Sequence, residues 1–175
     1  LLLPLIVYFS FFRGEKIDSI AVLYMDVGND PELSYLEAIT EDIIFDLTSS
    51  SQGLLKVSES VEVKKYKENS DISVNDVAGE LGVDFVFWTK VQQDGPGFKF
   101  RYRLYDSDSK KDRFLKTDYI EKNSLQSILG VLISKIVDEL DIEQSEQFVR
   151  LEYDPESYNL YLQAKSLYTL AKSSE

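Results

Sequence analysis

Residues 83–121 leave this chain few folds to choose from. Val83–Val91 is nearly apolar throughout, Asp94-Gly95-Pro96-Gly97 is turn chemistry, and Phe98–Tyr105 then alternates cleanly. Phe98, Phe100, Tyr102 and Leu104 take one side; Lys99, Arg101 and Arg103 take the other. Period two belongs to a strand with one packed face and one wet or salt-bridged face. The apolar run before it reads as a strand covered on both faces, hence central in a sheet. Asp106-Ser-Asp-Ser109 turns the chain again, and Arg113–Glu121 is the returning strand. The segment therefore predicts a three-stranded meander joined by tight turns.

Upstream, Ile17–Met25 is a short Ile- and Val-rich strand followed by a turn at Gly28-Asn29-Asp30-Pro31. Ser34 stands three residues before Glu37, a capping-box signature. Leu36, Ile39, Ile43 and Leu47, widened by Ile44, then predict an amphipathic helix to about Ser49, with Gly53 closing it. Leu54–Ser58 reads as a second strand, and the polar, lysine-rich stretch 61–71 as a loop. Ser73 opens a second helix that turns Val77 and Leu81 inward and stops at Gly82. Ser124 is placed as the cap of a third, striped by Ile128, Leu132, Ile136 and Leu140. The sum is one α/β domain over 17–141, a mixed five-stranded sheet with packed helices.

The flanks differ in kind. Leu1–Phe12 is almost continuously apolar, with Tyr8, Phe9, Phe11 and Phe12 near its end. It is shorter than the roughly 20 residues a membrane-crossing helix needs. Residues 1–13 read as the last turns of such a helix reaching the interface; a buried segment and a signal-peptide core are the alternatives. Because the chain opens on Leu1, a longer protein is expected on both sides. Past the charged connector 141–153, Asp154-Pro155 places an N-cap before a first-turn proline. Tyr158, Leu162 and Ala164–Ala171 then form a last helix.

Composition narrows the chemistry. The chain has no histidine and no cysteine, which removes histidine acid–base chemistry, thiolate catalysis and His/Cys zinc sites. Its net charge of −12 repels phosphate backbones, so a nucleic-acid partner is not expected. No glycine-rich phosphate loop occurs at a strand-to-helix junction, and no cofactor is implied.

The candidate sites mostly have plain readings. Glu41 and Asp42 are adjacent on a helix, do not share a face, and read as favourable charge near its positive end. Asp106, Asp108 and Asp112 echo a calcium loop, but Lys110 and Lys111 stand where a further ligand and a glycine belong. Phe85, Phe87 and Trp88 read as core rather than as a pocket lining. Lys64, Lys65 and Lys67 read as a loop. The row Lys99, Arg101, Arg103 is the one polar feature suited to an anionic ligand or acidic partner segment. A solvated face balanced by neighbouring acids is its plainer reading.

Several strings, in order and at spacing, resemble the TolB-like N-terminal α/β module of bacterial membrane-anchored regulators. They are Ser19-Ile-Ala-Val-Leu23, Asp30-Pro-Glu32, Ile39-Thr-Glu-Asp-Ile-Ile44, Val77-Ala-Gly-Glu-Leu-Gly-Val83 and Arg103-Leu-Tyr-Asp106. The chain departs from that pattern at Tyr24, where the family usually has proline, and at Leu115, where it usually has tryptophan. The resemblance implies a non-catalytic sensor or protein-interaction domain outside the bacterial inner membrane. It also implies an attached nucleotide cyclase, Ser/Thr kinase or winged-helix module. Alternatively the domain is an envelope scaffold. Partners would be proteins or a small ligand. Residues 152–175 resemble the first helix of a tetratricopeptide-type array. Such a helix needs neighbours, here the α/β domain or a second copy, which leaves a homodimer open.

Overall fold

The computed structural model describes residues 17–67, 72–142 and 154–172. Five strands form one sheet: β1 (Asp18–Val22), β2 (Leu55–Val57), β3 (Phe85–Asp94), β4 (Gly97–Asp106) and β5 (Lys111–Glu121). Their order is β2-β1-β3-β4-β5. β1 pairs in parallel with β2 and β3, and the β3–β4–β5 meander is antiparallel. This is the mixed α/β sheet that the sequence predicts, with the apolar strand at its centre. The turn is tight: Asp94 pairs with Gly97. Gly95 adopts φ +57° there, which glycine reaches without a Cβ penalty.

The helices are α1 (Ala38–Ser50), α2 (Ser60–Lys64), α3 (Val74–Leu81), α4 (Leu125–Glu139) and α5 (Pro155–Lys172). They cover the two sheet faces unequally. On the first face, α1, α4 and α5 bury Ile20, Val22, Phe87, Phe100, Tyr102 and Leu104. All four apolar residues of the alternating strand are 0% exposed, so the period-two reading holds residue by residue. On the second face, α2 and α3 cover Ala21, Leu23, Val86 and Tyr105, with Trp88 partly buried at the edge of that cluster. Beyond Tyr105 that face of the β3–β5 meander carries no helix among the described residues.

Local chemistry departs from the sequence reading at three places. Helical structure starts earlier than Ser34. A 3-10 segment, Pro31–Glu37, precedes α1; Asp30 caps it by accepting from the Glu32 amide at 2.9 Å, and Ser34 turns its hydroxyl to the Pro31 carbonyl instead. Proline at the first position has no amide to leave unpaired, which is why Asp30-Pro31 outcompetes Ser34. Second, residues 60–64 are helical rather than loop. Glu62 accepts from the Glu59 amide at 2.9 Å in a capping box, and Val63 is fully buried. One buried valine among lysines gives no visible stripe. Third, Ser124 stands before α4 but makes no capping bond; its hydroxyl meets Asn123 at 3.3 Å.

Other expectations stand. Ser73 accepts from the Asp76 amide at 3.1 Å, and Gly82 ends α3 at φ +63°. Asp154 caps α5, accepting from the Ser157 amide at 2.9 Å. The apolar segment 1–13 lies outside the described residues, within which no helix is long and apolar enough to cross a membrane.

Candidate interaction face

The alternation of β4 sets Lys99, Arg101 and Arg103 on the uncovered half of the second sheet face. Register fixes their neighbours. Lys99 lies between Gln92 and Tyr119, Arg101 between Lys90 and Thr117, and Arg103 between Trp88 and Leu115. Leu115 and Tyr119 are each 49% exposed, so apolar surface flanks the cations.

The cations differ in how they are held. Arg103 is partly buried, with its guanidinium 5.3 Å over the Trp88 ring and 3.7 Å from the Asp112 carboxylate. Its Nε is shut off from solvent without an acceptor among the described residues. Lys90 pairs with Asp26 at 3.2 Å. Lys99 and Arg101 are exposed and have no acidic partner among the described residues. The sequence row is therefore a real row, but only its Arg103 end is balanced by acids.

At that end the bare sheet meets the helical layer, and the step is a cleft of about 260 Å³. Trp88 and Arg103 line it from the sheet, and Tyr66, Ile72 and Val74 from in and around α2 and α3. The segment Leu23–Gly28 forms a further wall, with Asp26 and Glu37 among the lining residues. Phe85 and Phe87 are core as read, whereas Trp88 faces this cleft. Lys67 and Glu37 form an ion pair shared with a second cleft of about 300 Å³, which reaches Glu41, Ser166 and Thr169.

Between the second cleft and the core lies a polar clamp that sequence reasoning missed. Asp42 accepts from the Tyr158 hydroxyl at 3.0 Å, the Tyr161 hydroxyl at 3.1 Å and the Lys165 ammonium at 2.8 Å. Glu41 takes Lys165 at 3.2 Å and the Tyr24 hydroxyl at 3.1 Å. Adjacent helix positions diverge, yet α5 crosses α1 closely enough for one lysine to reach both. Burial pushes the Tyr24 phenol up to about 12, with Glu41 adding to the effect. The Tyr158 phenol is raised further, by burial first and then by Asp42. These carboxylates bind a helix of their own chain. Signals were present in Tyr158, Tyr161 and Lys165 at helical spacing, but a partner 116 residues away in sequence cannot be read from them.

The calcium-like acids are likewise occupied. Asp106 accepts from the Asp108 and Ser109 amides and, at 2.8 Å, from Arg113. The Ser109 amide, with Arg113 behind it, holds the Asp106 carboxyl below its ordinary range. Among the described residues no group of three or more acids could hold a metal ion.

No protein-family model matches the chain, and no curated protein matches it. Solved structures do. TolB from Acinetobacter baumannii superposes with a TM-score of 0.50 at 15% identity, over 72% of this chain and 29% of that one. The fold is TolB-like. This TolB-like chain thus spans less than a third of that TolB. Lipoprotein GNA1162 from Neisseria meningitidis gives 0.45 at 18% identity, over 71% of this chain and 98% of that one. The LpoB C-terminal domain from Salmonella enterica gives 0.40 at 12%, over 67% and 93%.

Proposed function

We propose that residues 17–141 are a non-catalytic protein-interaction domain of the bacterial envelope, serving as the extracytoplasmic sensor of a membrane-anchored signalling protein. The observation that carries this reading is the half-covered sheet. Five helices bury one face and part of the other, and leave a row of cations flanked by Leu115 and Tyr119 open. An exposed patch of that kind, rimmed by polar residues, is what an interaction surface looks like. Neither histidine nor cysteine is available for turnover, and the acids most suggestive of chemistry are engaged in clamps and turns.

The apolar segment 1–13 supplies the anchor in this reading, and the family resemblance supplies the module beyond it: a nucleotide cyclase, a Ser/Thr kinase or a winged-helix domain. Signal would pass as a population shift, a partner favouring one arrangement of the domain over another. Helix α5 is the first helix of a tetratricopeptide-type array. Its inner stripe, Tyr158 and Leu162, is buried against the domain, while Leu160, Leu167 and Tyr168 remain 58%, 67% and 70% exposed. A helix apolar on two sides is built to pack between two neighbours.

Topology mapping of the full-length protein, with the output of its attached module measured alongside, tests the reading. Residues 17–141 are expected outside the membrane, and their deletion is expected to change that output. A cytoplasmic location defeats the sensor reading. An unchanged output with dispersed partner proteins makes the domain a scaffold.

A further inference from the structure

We infer that the bare face of β3–β5 binds an acidic peptide segment of a partner protein, its carboxylates on Lys99, Arg101 and Arg103 and one apolar side chain in the cleft beside Trp88. The inference rests on the interaction reading above and names the chemistry of the partner.

Charge is the first ground. The chain carries −12 overall, yet this face presents Lys99 and Arg101 with no acid of their own among the described residues. Of the acids near the row, Asp112 and Asp26 are taken up by Arg103 and Lys90, and Asp94 and Glu121 stand at the strand ends beside Gly97. Spacing is the second. Alternate residues of a strand lie about 6.6–6.8 Å apart, so the row spans roughly 13 Å. Carboxylates at every second residue of an extended peptide, or every fourth of a helix, match that step. The third ground is the cleft of about 260 Å³ where the row ends. Its Trp88 wall offers an apolar side chain a seat beside Arg103, whose Nε has no acceptor among the described residues. The two acids of the cleft, Asp26 and Glu37, are paired with Lys90 and Lys67.

The same charge distribution separates a peptide from larger anions. A bilayer or a polyphosphate brings extended negative charge against a molecule of −12, and that repulsion reaches beyond the row. A short acidic segment touches only the row, and the remaining charge is screened within a Debye length of about 8 Å at physiological salt.

The test uses the whole chain with three probes. These are a fluorescent peptide alternating glutamate with serine and carrying one tryptophan, its lysine-for-glutamate counterpart, and phosphatidylglycerol vesicles. Binding is expected for the glutamate peptide alone, weakening as salt rises. Lys99→Glu with Arg101→Glu should lower that affinity at least about tenfold and transfer preference to the lysine peptide. Both side chains are exposed, and an unchanged thermal midpoint would establish that the variant folds. Equal binding of the two peptides, or an affinity indifferent to the charge reversal, overturns the inference. Vesicle binding lost in the same variant overturns it too, and assigns the face to a lipid surface. A photo-cross-linker at Tyr119 separates the two levels. If peptides fail but it captures a folded envelope protein in cells, interaction stands and the acidic segment falls; if it captures nothing, both fall.

Discussion

The Lys165 ammonium lies 2.8 Å from Asp42 Oδ1, joining α5 to α1 across 123 residues of sequence. Both side chains are largely out of water, at 22% and 15% exposure. An ion pair so placed, with Tyr158 and Tyr161 on the same carboxylate, binds more firmly than a surface pair. It also makes α5 part of the domain and not a loose tail.

Asp42→Ala is therefore expected to destabilise the chain by about 2–3 kcal/mol, because it removes the acceptor that Tyr158, Tyr161 and Lys165 share and leaves Lys165 to Glu41 alone. Tyr158→Phe removes one bond and should cost about 1 kcal/mol. Urea unfolding gives both values. Limited proteolysis should cut α5 of the Asp42 variant before the rest of the domain opens; if α5 stays protected, apolar packing of Tyr158 and Leu162 holds it alone.

Alkaline pH should weaken the same corner. The Tyr24 phenol sits at about 12 in the folded chain against an ordinary 10.0, through burial first and Glu41 second. Its contribution to stability is complete below pH 10, where both states keep the proton. Above that the unfolded chain loses its proton first, so stability falls between pH 10 and about 12. Tyr102, raised by burial and by Asp118, acts in the same direction. Urea midpoints on either side of pH 10 measure the loss, and Tyr24→Phe should shrink it.

Two glycines separate close approach from mere helix weakness. A Cβ at Gly97 would stand 2.5 Å from the Ile120 carbonyl oxygen and 2.8 Å from the Tyr119 ring. Backbone cannot yield as a side-chain tip can, so Gly97→Ala should cost about 1–3 kcal/mol. A Cβ at Gly79, within α3, meets nothing within 4 Å. Gly79→Ala should raise stability by up to about 1 kcal/mol. Thermal midpoints moving in opposite directions would bear out both.

What the sequence could and could not reveal follows from range. Phe98, Phe100, Tyr102 and Leu104 declare their face because strand alternation is a local property, and the central place of β3 and the meander after it follow from where the apolar run and the turns fall. The parallel seat of β1 between β2 and β3 is long-range and does not. Lys99, Arg101 and Arg103 were legible as a row for the same reason. Trp88 read as core because its own strand is apolar; only the end of the α2–α3 layer, a matter of how far helices extend sideways, makes it a cleft wall. The Asp42 clamp was invisible because its meaning lies in a helix crossing. Helix α2 was missed because a single buried residue, Val63, carries its packing.

One short bond ties the clefts to the core. Beyond the end of β1, the Met25 amide has no strand partner and donates instead to Thr40 Oγ1 at 3.0 Å, with Thr40 only 1% exposed. The bond pins the β1 exit, including the Leu23–Gly28 wall of the Trp88 cleft, to α1. Thr40→Val keeps the shape and removes the acceptor, leaving a buried amide unpaired at a cost of about 1–3 kcal/mol. Thr40→Ser keeps the acceptor and deletes a methyl, for about 1 kcal/mol. If packing alone mattered, valine would be the milder change; if the bond matters, serine is. Hydrogen exchange reads the cause directly: the Met25 amide should lose protection in the valine variant and keep it in the serine variant.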